Sequence, residues 1–216
     1  MLAARLTQAD STNSVYRDAA NREYGFLNLW LSLDDSNQES LLTRSAFPGN
    51  PDTALVRERV STFGVKDDKG QYSRICGYDP AQAWAGDQGL ILGGLVDLIE
   101  MPGNVANSED LLTWAKQIAA GVLAGANSPQ HRGILPAWIT GQNQDPGDYS
   151  TGIGVYMRYL LYVYQNNDDM RMYLQNIGYP DFVRANAEHV TLDSDSDMVT
   201  LTNDLATLVA AIAISQ

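Results

Sequence analysis

The chain of 216 residues has a single cysteine, Cys76, so no internal disulfide can form and a disulfide scaffold is excluded. Its two histidines, His131 and His189, lie far apart with no cysteine or second histidine at ligand spacing, which argues against a zinc site. No run of about 18 apolar residues occurs, so nothing reads as a membrane-spanning helix. The stretch from Met1 to Asp10 lacks the long apolar run of a secretory leader. Positive charge is scarce: 14 Lys+Arg stand against 26 Asp+Glu, a net charge of −12. A nucleic-acid groove or an anionic membrane surface needs clustered cations, so both are disfavoured as partners. No serine sits in a nucleophile elbow and no glycine-rich loop follows a strand, so neither triad nor dinucleotide chemistry is supported and no cofactor is expected. These absences leave an acidic chain, read as one domain over 1–216.

What is present is helical periodicity. Tyr16, Ala20, Tyr24, Leu27 and Leu31 step by fours and threes, which predicts a helix over 13–33. A second helix is expected over about 83–101, with Leu92, Leu95, Val96 and Ile99 on one side, stopped by Pro102-Gly103-Asn104. Asn107 to Asp110 then caps a third, with Leu111, Ala115, Ile118 and Val122 as its stripe. These two make a helical hairpin. Residues 127–149 read as loop, and a helix buried on most sides is expected from about Ser150 to Gln165. Shorter helices are expected near 168–176 and 181–190, and a last one from Met198 through Leu201, Leu205, Leu208 and Ile212. Residues 34–80 are the least legible, and no segment alternates convincingly as a strand. The expected fold class is all-α, built of antiparallel helical hairpins. Leu2 to Leu6 resemble the end of a helix whose start is missing.

The most informative segment is Ala83 to Leu95. Trp84, Asp87 and Gln88 stand at a helix entrance, where backbone N–H groups are free and side chains can face a cleft. Gly89 and Gly93, four apart, allow another helix to approach closely. A tryptophan beside a carboxylate and an amide suits a sugar, with an apolar face for ring C–H groups and polar groups for hydroxyls. The competing reading makes Asp87 a helix cap and Trp84 ordinary core. Trp138 and Tyr149, at either end of the long loop, serve equally as sugar platforms or as hairpin core.

Trp84-x-x-Asp87-Gln88-Gly89-Leu90-Ile91-Leu92-Gly93-Gly94-Leu95 resembles the Tyr-Asn-Gln-Gly helix of glycoside hydrolase family 76, the endo-α-1,6-mannanases. Thr7 to Trp30, with Tyr16, Ala19 and Ala20, resembles the helix pair that precedes it in that family. Asp110 to Val122 resembles the helix that follows. Gly154-Val155-Tyr156-Met157-Arg158-Tyr159-Leu160 resembles its Gly-Ile-Phe-x-Arg-Tyr-Leu segment, and Phe182 with Asn186-Ala187 a later helix. The family's Tyr-Asn is Gly86-Asp87 here, and its Phe-Lys falls on Gly152 and Ile153. Its catalytic pair, two consecutive aspartates on an earlier hairpin, has no counterpart. Asp34-Asp35, Asp67-Asp68 and Asp168-Asp169 all read as turns.

The resemblance implies the second part of an (α/α)6 toroid lacking its N-terminal hairpins, since twelve helices with their connections imply roughly 250 residues or more. It implies an α-1,6-mannan-like glycan as partner, with Trp84, Asp87, Gln88, Asp148, Tyr149 and Trp138 as glycan contacts and no catalytic residue assigned. It also implies an extracytoplasmic setting. Asp87 and Asp148 are the one carboxylate pair worth testing for residual catalysis, against the reading of both as helix-entry caps. The alternative is a non-catalytic helical binding module. An incomplete arc would expose an apolar edge through which copies associate. Asp193-x-Asp195-x-Asp197 resembles half a calcium loop, but Met198 occupies the glycine position and Asp204 the position of glutamate, so a capped helix start is expected.

Overall fold

A computed structural model describes residues 2–32, 42–43, 52–58, 60–66, 68–78, 82–103, 107–140, 147–191, 193 and 195–215. Among these, eight α-helices carry most of the chain: α1 (Leu2–Ala9), α2 (Ser14–Ser32), α3 (Ala85–Ile99), α4 (Ser108–Ala126), α5 (Gly152–Asn166), α6 (Asp168–Asn176), α7 (Tyr179–Glu188) and α8 (Met198–Ile214). The helices begin where the sequence supplies acceptors. The side chain of Asn107 accepts from the Glu109 N–H, that of Asn167 from Met170, and that of Asp197 from Thr200. Each satisfies one of the free N–H groups of a first turn.

Helices consecutive in the chain pack in pairs, and the pairs align in two rows. In one row α1 lies beside α3, α3 on α5 and α5 on α8; in the other, α4 packs on α6 and α6 on α7. The α3–α5 crossing is the most extensive contact and depends on small residues. A Cβ on Gly89 would lie 2.8 Å from the Tyr156 Cα, and one on Gly93 would lie 2.4 Å from the Tyr159 ring. The close approach expected of this glycine pair is therefore found. The core runs through Leu92, Leu95, Ile118, Val122, Met157 and Leu160, all with no exposed surface. Tyr156 donates to Tyr179, whose hydroxyl donates in turn to the Ala119 carbonyl at 3.0 Å, and burial pushes both phenols upward.

The buried Asp97 of α3 joins α1 to this row. Arg5 Nε donates to both its carboxylate oxygens at 3.0 and 2.9 Å, the Tyr162 hydroxyl donates to one of them, and Gln8 Nε2 donates to the Asp97 carbonyl at 3.0 Å. Tyr162 is pushed up to about 12, by burial first and by the neighbouring Asp97 second.

The mostly helical reading holds, but residues 60–78 depart from the all-α expectation. Strands β3 (Val60–Lys66) and β4 (Tyr72–Tyr78) form an antiparallel hairpin in which Val60 opposes Tyr78 and Phe63 opposes Ile75. Strand-favouring Val60, Thr62, Phe63, Val65, Tyr72, Ile75 and Tyr78 account for it. Gly64, Gly77, Ser61 and Ser73 blur its alternation. Two short ladders complete the strand content: β1 (Leu42–Thr43) with β2 (Leu55–Val56), and β5 (Ala83–Trp84) with β6 (Trp138–Thr140). The second of these orders part of the stretch expected to be loop. Asp168 and Asp169 are exposed first-turn residues of α6, and Asp68 is an exposed turn residue, as expected of punctuation. Asp34, Asp35, Asp67 and the side chain of Trp30 lie outside the described residues.

Candidate functional site

The expected binding residues converge where β5 runs straight into α3. Trp84 keeps an extended backbone (φ −82°, ψ 138°) and serves as the N-cap residue without a side-chain cap, so strand and helix join with no turn between them. The Ala85 N–H continues the pairing by donating to the Ala137 carbonyl at 2.8 Å. On β6 one extra residue is accommodated between the pairs Ala83–Thr140 and Trp84–Trp138, a local bulge.

Trp84 itself acts as a clamp. Its ring occupies the space over Gly86 and Gly152: a Cβ on either would come within 2.2 or 2.3 Å of it. Its indole N–H donates to the Tyr149 carbonyl at 2.7 Å, and the two rings meet edge to face at 5.4 Å. Tyr149, on a 3-10 turn over Gly147–Thr151, also tilts against Trp138 at 4.9 Å. Its hydroxyl donates to Glu58 Oε1 at 2.6 Å. Trp84, Trp138 and Tyr149 are thus one cluster of half-buried rings, with Glu58 at its polar end.

Gln88 has a different part. It is fully buried: its carbonyl accepts from the Val56 N–H at 2.7 Å, and its amide donates to the carbonyls of Val56 and Trp84 at 2.8 and 2.9 Å. Both amide protons are used, so none remains for a ligand. Gln88 instead fastens β2 to the entrance of α3, and the Glu58 N–H donates to the Gln82 carbonyl beside it at 3.1 Å. The close packing of Gly121, where a Cβ would come within 2.0 Å of the Ala54 carbonyl oxygen, holds the same segment against α4. Together these contacts deliver Glu58 to the site.

Asp87 does not cap α3. It lies in the third helical position, half-buried, and its Oδ2 is buried with no hydrogen-bond partner. Burial pushes its carboxyl from 3.8 up to about 7, and the nearby charge of Glu58 adds to the shift. Near neutral pH Asp87 therefore exists in both protonation states, while the position of a general acid or base calls for that property. Two further buried polar atoms have no partner, Trp138 Nε1 and Thr140 Oγ1 on β6, the strand paired with β5. Asp148 lies on the 3-10 turn, and its side chain is outside the described residues. The carboxylate that the fold sets against Asp87 is Glu58, in a stretch whose sequence carried no periodic signal.

Other candidate groups resolve as structure. Asp197 caps α8, where hydrogen bonds from Thr200 hold its carboxyl below the ordinary value, and Asp193 accepts from the Asp195 N–H at 3.1 Å in a turn. Among the described residues no group of three or more His, Cys, Asp or Glu side chains is arranged to hold a metal ion. No described helix is long and apolar enough to cross a membrane. No protein-family model, curated protein or solved structure matches the chain.

Proposed function

We propose that this chain binds a neutral glycan at the junction of β5, β6 and α3. We further propose that the binding site is the glycan-holding side of a cleft like that of the α-1,6-mannanases of glycoside hydrolase family 76. In this reading the two helix rows are an arc of an (α/α)6 toroid, and the bond-cleaving aspartates are not on this chain. One observation carries the proposal. Three buried polar atoms without partners, Asp87 Oδ2, Trp138 Nε1 and Thr140 Oγ1, belong to the first turn of α3 and to β6, the two elements joined through β5, and Trp138 is itself one of the clustered rings. Leaving such groups unsatisfied costs about 1–3 kcal/mol each. A sugar that displaces the groups covering these atoms can satisfy the carboxylate oxygen, the indole N–H and the threonine hydroxyl, because its hydroxyls both donate and accept, while the ring faces cover sugar C–H groups. The net charge of −12 is compatible with a neutral ligand and opposes a polyanionic one.

The elevated Asp87 beside Glu58 favours a second reading, in which this chain itself hydrolyses the glycosidic bond with Asp87 as proton donor and Glu58 as its ionised partner. One titration separates the readings. α-1,6-Mannobiose is added to the chain while tryptophan fluorescence and released mannose are both followed. Binding without release, weakened about tenfold by Trp138→Ala, supports the binding cleft, a loss matching roughly 1–1.5 kcal/mol for a stacked ring. Mannose release abolished by both Asp87→Asn and Glu58→Gln establishes hydrolysis. Neither binding nor release at millimolar sugar refutes both and leaves a helical scaffold.

A further inference from the structure

The large apolar side chains that remain exposed among the described residues are not scattered. Apart from Met172 they belong to α8, at one end of the first helix row, and to α1 at the other end with its hairpin partner α2. On α8 they are Met198, Leu201, Leu205, Val209 and Ile212, with exposures from 37% (Leu201) to 77% (Met198). At 100° per residue these five fall within about 40° of the direction of Leu205, forming a single narrow stripe. The opposite side of the helix is occupied. Ala206, Thr207 and Ala210 are buried, and Asn203, Asp204 and Thr207 line a cavity of about 270 Å³ with Leu135, Ile153 and His189.

We propose that α8 pairs with α8 of a second copy, antiparallel, across a two-fold axis at Leu205. Three observations select this occupant. The stripe has the same spacing read in either direction: Leu201 and Val209 lie four residues before and after Leu205, and Met198 and Ile212 seven before and after. An antiparallel pair therefore sets Met198 on Ile212, Leu201 on Val209 and Leu205 on itself, the self-complementarity that a two-fold contact demands. The opposed helix dipoles also favour this direction. Charge gives the second argument. In a chain of net −12, a second copy is repelled from most of the surface, yet Asp204 is the sole charged residue of α8 and lies beside the cavity rather than in the stripe. The exposed apolar residues of α2, Val15, Phe26 and Leu29, are separated by Arg17, Asp18, Arg22 and Glu23 and lack the reversal symmetry. Area is the third. The five side chains present roughly 500 Å² per copy, so a pair removes roughly 1,000 Å² from water, the lower bound for a stable interface.

Sedimentation velocity on the full chain, from low to high micromolar, tests the proposal alongside Leu205→Glu. Wild type shifts to dimer as concentration rises. Leu205→Glu, which sets two carboxylates against each other on the axis, stays monomeric with an unchanged helical circular-dichroism spectrum. Leu205→Cys provides a readout that does not require the glutamate variant to fold. Under mild oxidation it forms a dimer whose disulfide maps to residue 205, whereas Met198→Cys alone does not cross-link at 198. A wild-type chain that is monomeric throughout, whether free or on phosphatidylcholine vesicles, overturns the proposal. So does a dimer that survives in folded Leu205→Glu. Cross-linking of Met198→Cys to itself overturns the antiparallel arrangement.

Discussion

Replacing Asp87 by asparagine removes one charge and leaves the shape of the site, so it isolates the cost of burying that carboxylate. In the folded chain the carboxyl titrates near 7; released into the unfolded chain it titrates near 3.8. Between about pH 4 and 7 the folded state therefore holds a proton that the unfolded state has lost, and stability falls as pH rises through that window. The full difference corresponds to about 4 kcal/mol at about 1.4 kcal/mol per pH unit, and the partial exposure of Asp87 reduces it to about 2 kcal/mol. Urea unfolding of wild type and Asp87→Asn at pH 5 and pH 8 reads this directly, because the other carboxylates cancel in the comparison. At pH 5 the variant already leads by somewhat less than about 1 kcal/mol, because the unfolded carboxyl, at 3.8, has lost its proton there while the folded one keeps it. At pH 8 the variant is the more stable by about 2 kcal/mol. Equal offsets at the two pH values would refute the burial of an ionisable Asp87, and with it the electrostatic basis of the site.

Three further substitutions test how the site is held. Gly121→Ala forces a methyl group into the Ala54 carbonyl; thermal melts should show a loss of about 2–3 kcal/mol, accompanied by weaker sugar binding as the segment carrying Glu58 shifts. Gln88→Leu strips the Val56 N–H and carbonyl of their partner inside the core, and urea titration should find about 2–4 kcal/mol less stability at every pH. Arg5→Met leaves the buried Asp97 with Tyr162 as its remaining side-chain donor, and urea unfolding at neutral pH should show a loss of about 2–3 kcal/mol.

The helices were legible because their signals are local. The step of Tyr16, Ala20, Tyr24, Leu27 and Leu31 lies within Ser14–Ser32, and Asn107 and Asp197 cap the helices they precede. Gly89 and Gly93 announced a close helix approach, and Tyr156 and Tyr159 provide it. The β3–β4 hairpin was hidden because glycine and serine interrupt its alternation, and three-residue β6 is too short to show any period. Glu58 carried no signal at all. Its place depends on an amide 30 residues later, Gln88, binding both backbone groups of Val56.

By itself the sequence determined the mostly helical class, the boundaries of its caps and breaks, the exclusion of disulfide scaffolding, and the composition of the β5–α3 junction. Tertiary structure decided which of those residues are available. It turned Trp84 into a clamp and Gln88 into a strand fastener, and it left Asp87 buried with an unpartnered oxygen near Glu58. Helix periodicity and capping are set within a few residues of chain, so composition and spacing record them. Burial, and the ionisation it controls, depends on what distant segments bring alongside.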